Sequence, residues 1–306
     1  DNVHQLGQLY QRADTVFHLA CDTTPATSAS QSSLEITANL LPSLRLLEYL
    51  EQSCTTAITF VSSGGTIYGN PGVAHCDETI AVSPISYYGA GKASLELFLE
   101  TYSRQTGNPV QVLRPSNLYG PGQLAKQQFG LVPTLMNAIR DDGTFFVMGD
   151  GSQQRDFLFI DDFVTLALAT VDQLATGCDT YNVGSGTGVA LLDLIRLTEE
   201  VTGKQVPLDF SASRKVDVHS IVLESRKAAA HFNWAPSTLL KDGLRQTWDW
   251  ITAEERRRLW NRQSVSVSPI TMVPSSLAGA WTPSMLKTAM PPLKFWFTTM
   301  PPTMIR

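Results

Sequence analysis

The chain has 306 residues, 43% of them hydrophobic and 17% charged, with a net charge of −5. This is the composition of a globular protein that can bury a sizeable core, and its acidic balance argues against nucleic acid as a partner. The four cysteines, Cys21, Cys54, Cys76 and Cys178, form no CxxC pair, so they read as the reduced thiols of a cytoplasmic protein rather than a disulfide framework or zinc site.

No apolar run reaches the ~20 residues of a membrane span, so no membrane partner is expected. Residues 14–21 (DTVFHLAC) form a short apolar run ending in small residues, the pattern of a buried strand. The stretch 32–52 carries Leu40, Leu44, Leu47 and Leu50 at helical spacing with Pro42 inside it, which predicts a helix with a kinked or broken first half. AITFVSS (57–63) reads as a second buried strand followed by a Gly-Gly turn, residues 87–105 as a helix, and VQVLRPS (110–116) as a third strand. Strands that are continuous apolar runs, alternating with helices, are the rhythm of a parallel sheet covered on both faces. The fold class is α/β.

From about Gly120 the rhythm breaks into short glycine- and proline-rich segments, which read as a smaller mixed domain interleaved with the first. The expected division is 1–120 for the sheet domain, with returning segments near 150–185, then 121–255 for the smaller domain and an irregular or disordered tail over 256–306. The tail has no acidic residue beyond Glu255 and holds five of the seven methionines and seven prolines, a composition that does not continue a fold. Gly184, Gly186 and Gly188 imitate a dinucleotide fingerprint between an apparent strand and a helix. The spacing is GxGxG rather than GxGxxG, and no acidic residue closes a following strand. A structural turn capping the helix of Leu191–Thr202 is expected there.

Tyr88 and Lys92 stand four apart on the predicted helix and share one face. A free phenol is a poor base at neutral pH. A nearby ammonium favours the phenolate and makes the group able to take a proton from a substrate hydroxyl. Ser62 and Ser63 end the preceding strand, at the edge where ligands of open α/β sheets bind.

SSGGTIYG (62–69), YxxxK (88–92) and LRPSNLYGPG (113–122), arriving in that order, resemble the extended short-chain dehydrogenase/reductase family of NAD-dependent epimerases and dehydratases, closest to its UDP-glucose 4-epimerase group. HLA (18–20), Asn39, GDGSQQRDFLFIDD (149–162), YNVGSG (181–186) and Asp217 three after Arg214 extend the similarity over roughly residues 12 to 250. The resemblance implies a Rossmann-type doubly wound parallel sheet, here partial, with a smaller mixed substrate domain. It implies NAD as cofactor, a UDP-glucose/UDP-galactose type of nucleotide sugar as substrate, and a homodimer in the full-length protein, through helices that include Leu95–Ser103.

The same resemblance makes Tyr88 the catalytic base and Lys92 its electrostatic partner, also contacting the cofactor ribose. The family's third catalytic hydroxyl falls on Gly64, so Ser63 and Thr66 are the candidates to replace it. Sugar dehydratases carry an Asp/Glu pair where Gly65 and Thr66 stand, which leaves epimerisation as the surviving chemistry. Leu19, Ala20, Cys21, Asn39, Ser62 and Ser116 match cofactor-binding positions, and Asn117, Arg155, Arg214 and Asp217 match substrate-binding ones. Ile221, four beyond Asp217, falls near the hexose. Arg155 would grip phosphate as a guanidinium fork, the alternative being a salt bridge to Asp156 or Asp161. By the same resemblance the glycine fingerprint lies ahead of Asp1, and the chain alone is expected to bind NAD weakly and dissolve poorly. The remaining alternatives are another nucleotide-sugar oxidoreductase, such as a reductase, and a non-catalytic relic.

Overall fold

A computed structural model describes residues 13–51, 56–125, 130–212 and 218–261. The chain enters through β1 (Thr15–His18), then α1 (Pro25–Ser30), a π-helical turn (Glu35–Leu40) and α2 (Leu41–Leu50). Pro42 explains the π turn: it has no N–H to give, and the ladder widens just before it so that Leu41 N donates to Ile36 O. The break expected at Pro42 is therefore a change of helix type. β2 (Ala57–Val61) is followed by one helical turn, α3 (Gly64–Ile67), where a Gly-Gly turn is predicted.

The long helix α4 (Tyr87–Thr106) starts on Ser86, whose hydroxyl accepts from Gly89 N, and stops at left-handed Gly107. Its buried residues Lys92, Leu95, Glu96, Leu99, Tyr102 and Ser103 recur at three and four, giving one inward stripe. Then come β3 (Val110–Pro115), β4 (Asn117–Tyr119), α5 (Leu131–Arg140), β5 (Phe145–Met148), β6 (Gln154–Phe159) and α6 (Ile160–Asp172). They are followed by β7 (Cys178–Val183), β8 (Gly188–Ala190), α7 (Leu191–Thr202), β9 (Leu208–Ser211), β10 (Ser220–Ile221), α8 (Arg226–Phe232) and α9 (Leu240–Asn261).

β1, β2, β3 and β7 form one parallel sheet in that order. One face packs Ile58, Phe60, Val110 and Val112 against α2 and α4 through Leu47, Leu50, Leu95 and Leu99. The other packs Leu113, Tyr181 and Val183 against α6 and α8 through Phe163, Leu166, Ala228 and Phe232. Helices on both faces of a parallel sheet make the doubly wound α/β fold. β2 and β3 are buried along nearly their whole length, whereas β1 has a single neighbour among the described residues and only His18 buried. Among the described residues, a strand legible as buried is thus half-buried at an edge of the sheet.

β4, β6 and β10 form a second sheet with β8 antiparallel on β6, and β5 pairs with β9. A separate apolar core of Leu135, Met136, Phe157, Leu194, Ile195 and Leu244 joins them to α5, α7 and α9. The returning β7 completes the first sheet after the chain has visited the second. α9 continues past Glu255 to Asn261, beyond the point where an irregular tail is expected, because the Glu, Arg and Leu run there consists of good helix formers. Residues 262–306, Cys54, Arg214 and Asp217 lie outside the described residues. No helix among the described residues is long and apolar enough to cross a membrane.

Candidate active site

The C-terminal ends of β1, β2 and β3 open on a cavity of about 410 Å³ that runs on to β6 of the second sheet. Leu19 and Cys21 reach it from β1, Ser62 and Ser63 from β2, and Ser116 and Asn117 from β3. Tyr88 and Lys92 reach it from α4, Thr66 from α3 and Arg155 from β6. Ten of the predicted site residues therefore share one cavity. Ala20 is exposed on the same loop but does not line it.

Lys92 is 8% exposed. Its Nζ donates to Val61 O at 3.0 Å and lies 4.9 Å from the Phe60 ring centroid and 5.9 Å from that of Tyr88. Four residues along the helix, Glu96 clamps Arg114 of β3, with Arg114 Nη2 at 2.6 Å from Glu96 Oε2. Arg114 Nη1 donates at 2.8 Å to the Tyr68 hydroxyl, which donates at 2.7 Å to Asn182 Oδ1 of β7. This buried chain fixes α4 against the sheet one turn beyond the Tyr/Lys pair. It is the role of the Arg in LRPSN, which the sequence motif did not specify.

Burial raises the Tyr88 phenol well above its ordinary range, helped by Cys21 and the Glu35 carboxylate, while a hydrogen bond with Ser63 pulls the other way. Desolvation is the largest cause of this rise. Behind Lys92, burial and the lysine's own charge push His18 down to about 4. His18 Nε2 lies 2.8 Å from Ser43 Oγ, which donates to Asn39 O at 2.7 Å. The Ser43 proton is thereby used, so Nε2 is the protonated ring nitrogen.

Gly64 cannot be a hydroxyl position. A Cβ there would collide with Leu223 Cδ1 and with the carbonyl oxygens of Arg114 and Pro115. Ser63 takes the place beside the phenol, and Thr66 Oγ1 donates to Ser63 Oγ at 2.9 Å. Gly65 also serves packing: a Cβ on it would lie 3.0 Å from Asn117 Oδ1.

Asn39 sits apart from the cavity lining and is saturated within the protein. Its Oδ1 accepts from Asp22 N at 2.9 Å, and its Nδ2 donates to Thr23 Oγ1 at 2.7 Å and Glu35 Oε2 at 3.0 Å. It shapes the loop after β1 that carries Leu19 and Cys21. Ile221 packs with Ile67, Tyr68, Cys76 and Leu223 in a buried cluster, so it is core and does not line the cavity. Arg155 Nη1 donates to Gln154 O at 2.8 Å and His219 O at 3.2 Å.

Asp156, 1% exposed, accepts instead from Ser185 N and Oγ, Gly186 N and Leu223 N. That gives the GxGxG turn its purpose: its amides bind an internal carboxylate. The turn does not cap the helix after it. The first amides of α7 donate to Gln153 O and Gly151 O, so the cap expected at Gly184–Gly188 is supplied by the loop before β6.

Among the described residues, three buried side-chain atoms have no hydrogen-bond partner: Ser62 Oγ, Ser116 Oγ and Gln123 Oε1. All three residues line the cavity. A buried hydroxyl without a partner costs free energy unless a ligand completes it, so the residues present fit a polar cofactor and substrate. Gln123 directly follows the LRPSNLYGPG motif and was missed because a glutamine in a loop carries no chemical signal by itself. Glu35 was missed because a helical glutamate reads as a solvated face.

The crystal structure of the UDP-glucose 4-epimerase of Thermotoga maritima with UDP-glucose superimposes with a TM-score of 0.79 at 30% identity, over 83% of this chain and 82% of that one. The Thermus thermophilus UDP-glucose 4-epimerase complex with NAD gives 0.76 at 27% identity, over 82% of both chains. An Escherichia coli dTDP-4-dehydro-6-deoxyglucose reductase is 28% identical over 230 residues, 75% of this chain and 72% of that protein. Residues 1–184 match the NAD dependent epimerase/dehydratase family. With the doubly wound sheet, the Tyr88/Lys92 pair and the cavity at the strand ends, the chain belongs to this NAD-dependent family, within the extended short-chain dehydrogenase/reductases.

Proposed function

We propose that the protein epimerises a nucleotide-linked hexose of the UDP-glucose/UDP-galactose type at C4. The observation that carries this reading is one cavity shared by the Tyr88 phenol and two partnerless hydroxyls, Ser62 and Ser116. NAD, when bound, would supply the reversible hydride chemistry at the sugar carbon. The residues that would hold it are Leu19, Ala20, Cys21, Ser62, Lys92 and Ser116, with Asn39 acting through the loop it anchors.

Tyr88 takes the proton of the sugar hydroxyl as that carbon is oxidised and gives it back on reduction. Burial keeps the phenol protonated in the resting site. Ser63 offers the hydrogen bond that favours the phenolate, and a positive charge entering the cavity favours it further. Lys92, held by Val61 O, supplies a fixed positive charge behind the phenol. Arg155 and Asn117, which also line the cavity, would bind the sugar nucleotide, with Arg155 a phosphate contact. Arg214 and Asp217 belong to the same proposal on their sequence match alone.

Elimination is disfavoured at this site. The acid and base it needs would stand at Gly65 and Thr66, and a side chain at Gly65 crowds Asn117. The reductase relative supports a second reading, one-way reduction of a nucleotide-linked keto sugar. The same proposal makes the protein a cytoplasmic homodimer, and exposed Leu97 and Phe98 on α4 are apolar positions a second copy would cover.

Incubation with UDP-galactose and catalytic NAD, followed by NMR of the sugar, tests the reading. Epimerisation gives UDP-glucose with no net change in cofactor. Stoichiometric loss of reduced nicotinamide absorbance with a keto sugar marks the reductase instead, and absence of both activities and of NAD binding marks a relic.

A further inference from the structure

Glu35 is 7% exposed and sits on the π-helical turn before Pro42, with its side chain directed at α4. It meets α4 at Gly91, between Tyr88 and Lys92, and a Cβ on Gly91 would collide with Glu35 Oε2. The glycine of YGAGK is thus the opening that admits this carboxylate. Ser28 of α1 donates to Oε1, and Asn39 Nδ2 donates to Oε2 at 3.0 Å. α1 also supplies Pro25 and Ala26 to the cavity wall. One buried carboxylate therefore ties the wall, the Asn39 loop anchor and the catalytic helix together.

The charged and titratable groups facing Tyr88 come from three sides. Cys21 lies on the loop after β1, Glu35 on the π turn and Lys92 one turn along α4, with neutral His18 behind Lys92. Lys92 follows Tyr88 by one turn of α4, and Glu35 enters against the same turn at Gly91. Resting on the function proposed above, we propose that Glu35 is a positioning residue for proton transfer at Tyr88, a fixed negative charge set into the Gly91 notch on the cavity's buried side. Burial keeps the phenol protonated while the cavity is empty, the Glu35 carboxylate acts in the same direction, and positive charge entering from the front opposes both. Removing the Glu35 charge while keeping its shape should then ease ionisation of Tyr88 even with no nucleotide present.

The test uses ring-labelled tyrosine NMR on the full chain without ligands, with Tyr88 assigned by Tyr88→Phe. In Glu35→Gln the Tyr88 phenol should ionise about one pH unit lower than in wild type, the size of shift a neighbouring charge produces. The rise of kcat/KM with pH, which follows ionisation of the Tyr88 base, should move down with it, with KM for the sugar nucleotide little changed. Glu35→Asp keeps the charge but withdraws it and should give a smaller shift of the same sign, which carries the test if the glutamine variant does not fold. A Tyr88 phenol that ionises no earlier in either variant than in wild type overturns the proposal, whatever happens to activity. A shift as expected in a protein that epimerises nothing upholds Glu35's effect on the phenol and removes the functional reading alone.

Discussion

The two ends of the cavity handle buried polar groups in opposite ways. On the β6 side, Asp156 accepts four hydrogen bonds from Ser185, Gly186 and Leu223, and Asp162 accepts from Ser237 Oγ and Thr238 N. Each carboxylate there is an internal fastener. At the strand ends of the first sheet, among the described residues, Ser62 and Ser116 are buried without partners, and Lys92 donates to a backbone carbonyl with no acid paired to it. A fully partnered buried polar group is architecture, and a partnerless one beside a cavity is a site. The difference separates the residues that hold the second sheet together from those that meet ligands.

Substitutions at the two ends should break in different observables. The largest effect is expected for Tyr88→Phe, which removes only the phenolic oxygen: turnover should fall about a hundred- to ten-thousand-fold, with thermal stability unchanged. Turnover assays beside a thermal melt check it, and retained turnover shows that Tyr88 is not the base. Asp156→Ala should do the reverse, leaving four donors unsatisfied and costing about 4 kcal/mol in a denaturant titration.

His18 gives the next effect, and it depends on pH. The free imidazole titrates near 6.5, whereas burial beside Lys92 lowers it to about 4 in the fold. Between those values the unfolded chain binds a proton that the folded one refuses. Stability is therefore complete above about pH 6.5 and declines as pH falls towards 4, by about 3 kcal/mol at the acid end. His18→Asn should flatten that slope in denaturant titrations run across the range. The smallest effect is expected for Ser116→Ala. It should weaken NAD about five- to tenfold by calorimetry while leaving stability unchanged or slightly higher, since no protein partner is lost.

The framework was legible because β2, β3 and α4 are strongly patterned. Continuous apolar runs and a three-four stripe fix their type, and the order of the Tyr/Lys, Ser-Ser and Arg-Pro-Ser runs fixes their place around the cavity. What was not legible depends on distant neighbours. Gly64 reads as a missing hydroxyl until Arg114 O and Pro115 O are seen pressing on it, and the GxGxG turn reads as a helix cap until Asp156 appears beneath it. Asn39 reads as a cofactor contact, yet its hydrogen bonds go to Asp22, Thr23 and Glu35. The sign of the Tyr88 shift is set by desolvation of the phenol among its neighbours, a quantity that residue spacing does not encode.

The central claim is that the Tyr88 phenol faces the sugar hydroxyl that is oxidised and re-formed. A crystal structure of the protein with NAD and a UDP-hexose measures it directly. The account predicts the phenolic oxygen within about 2.6–3.2 Å of that hydroxyl, with Ser62 Oγ and Ser116 Oγ both engaged by ligand. A UDP-hexose seated elsewhere, with Tyr88 turned from it and both serine hydroxyls still without partners, would contradict it.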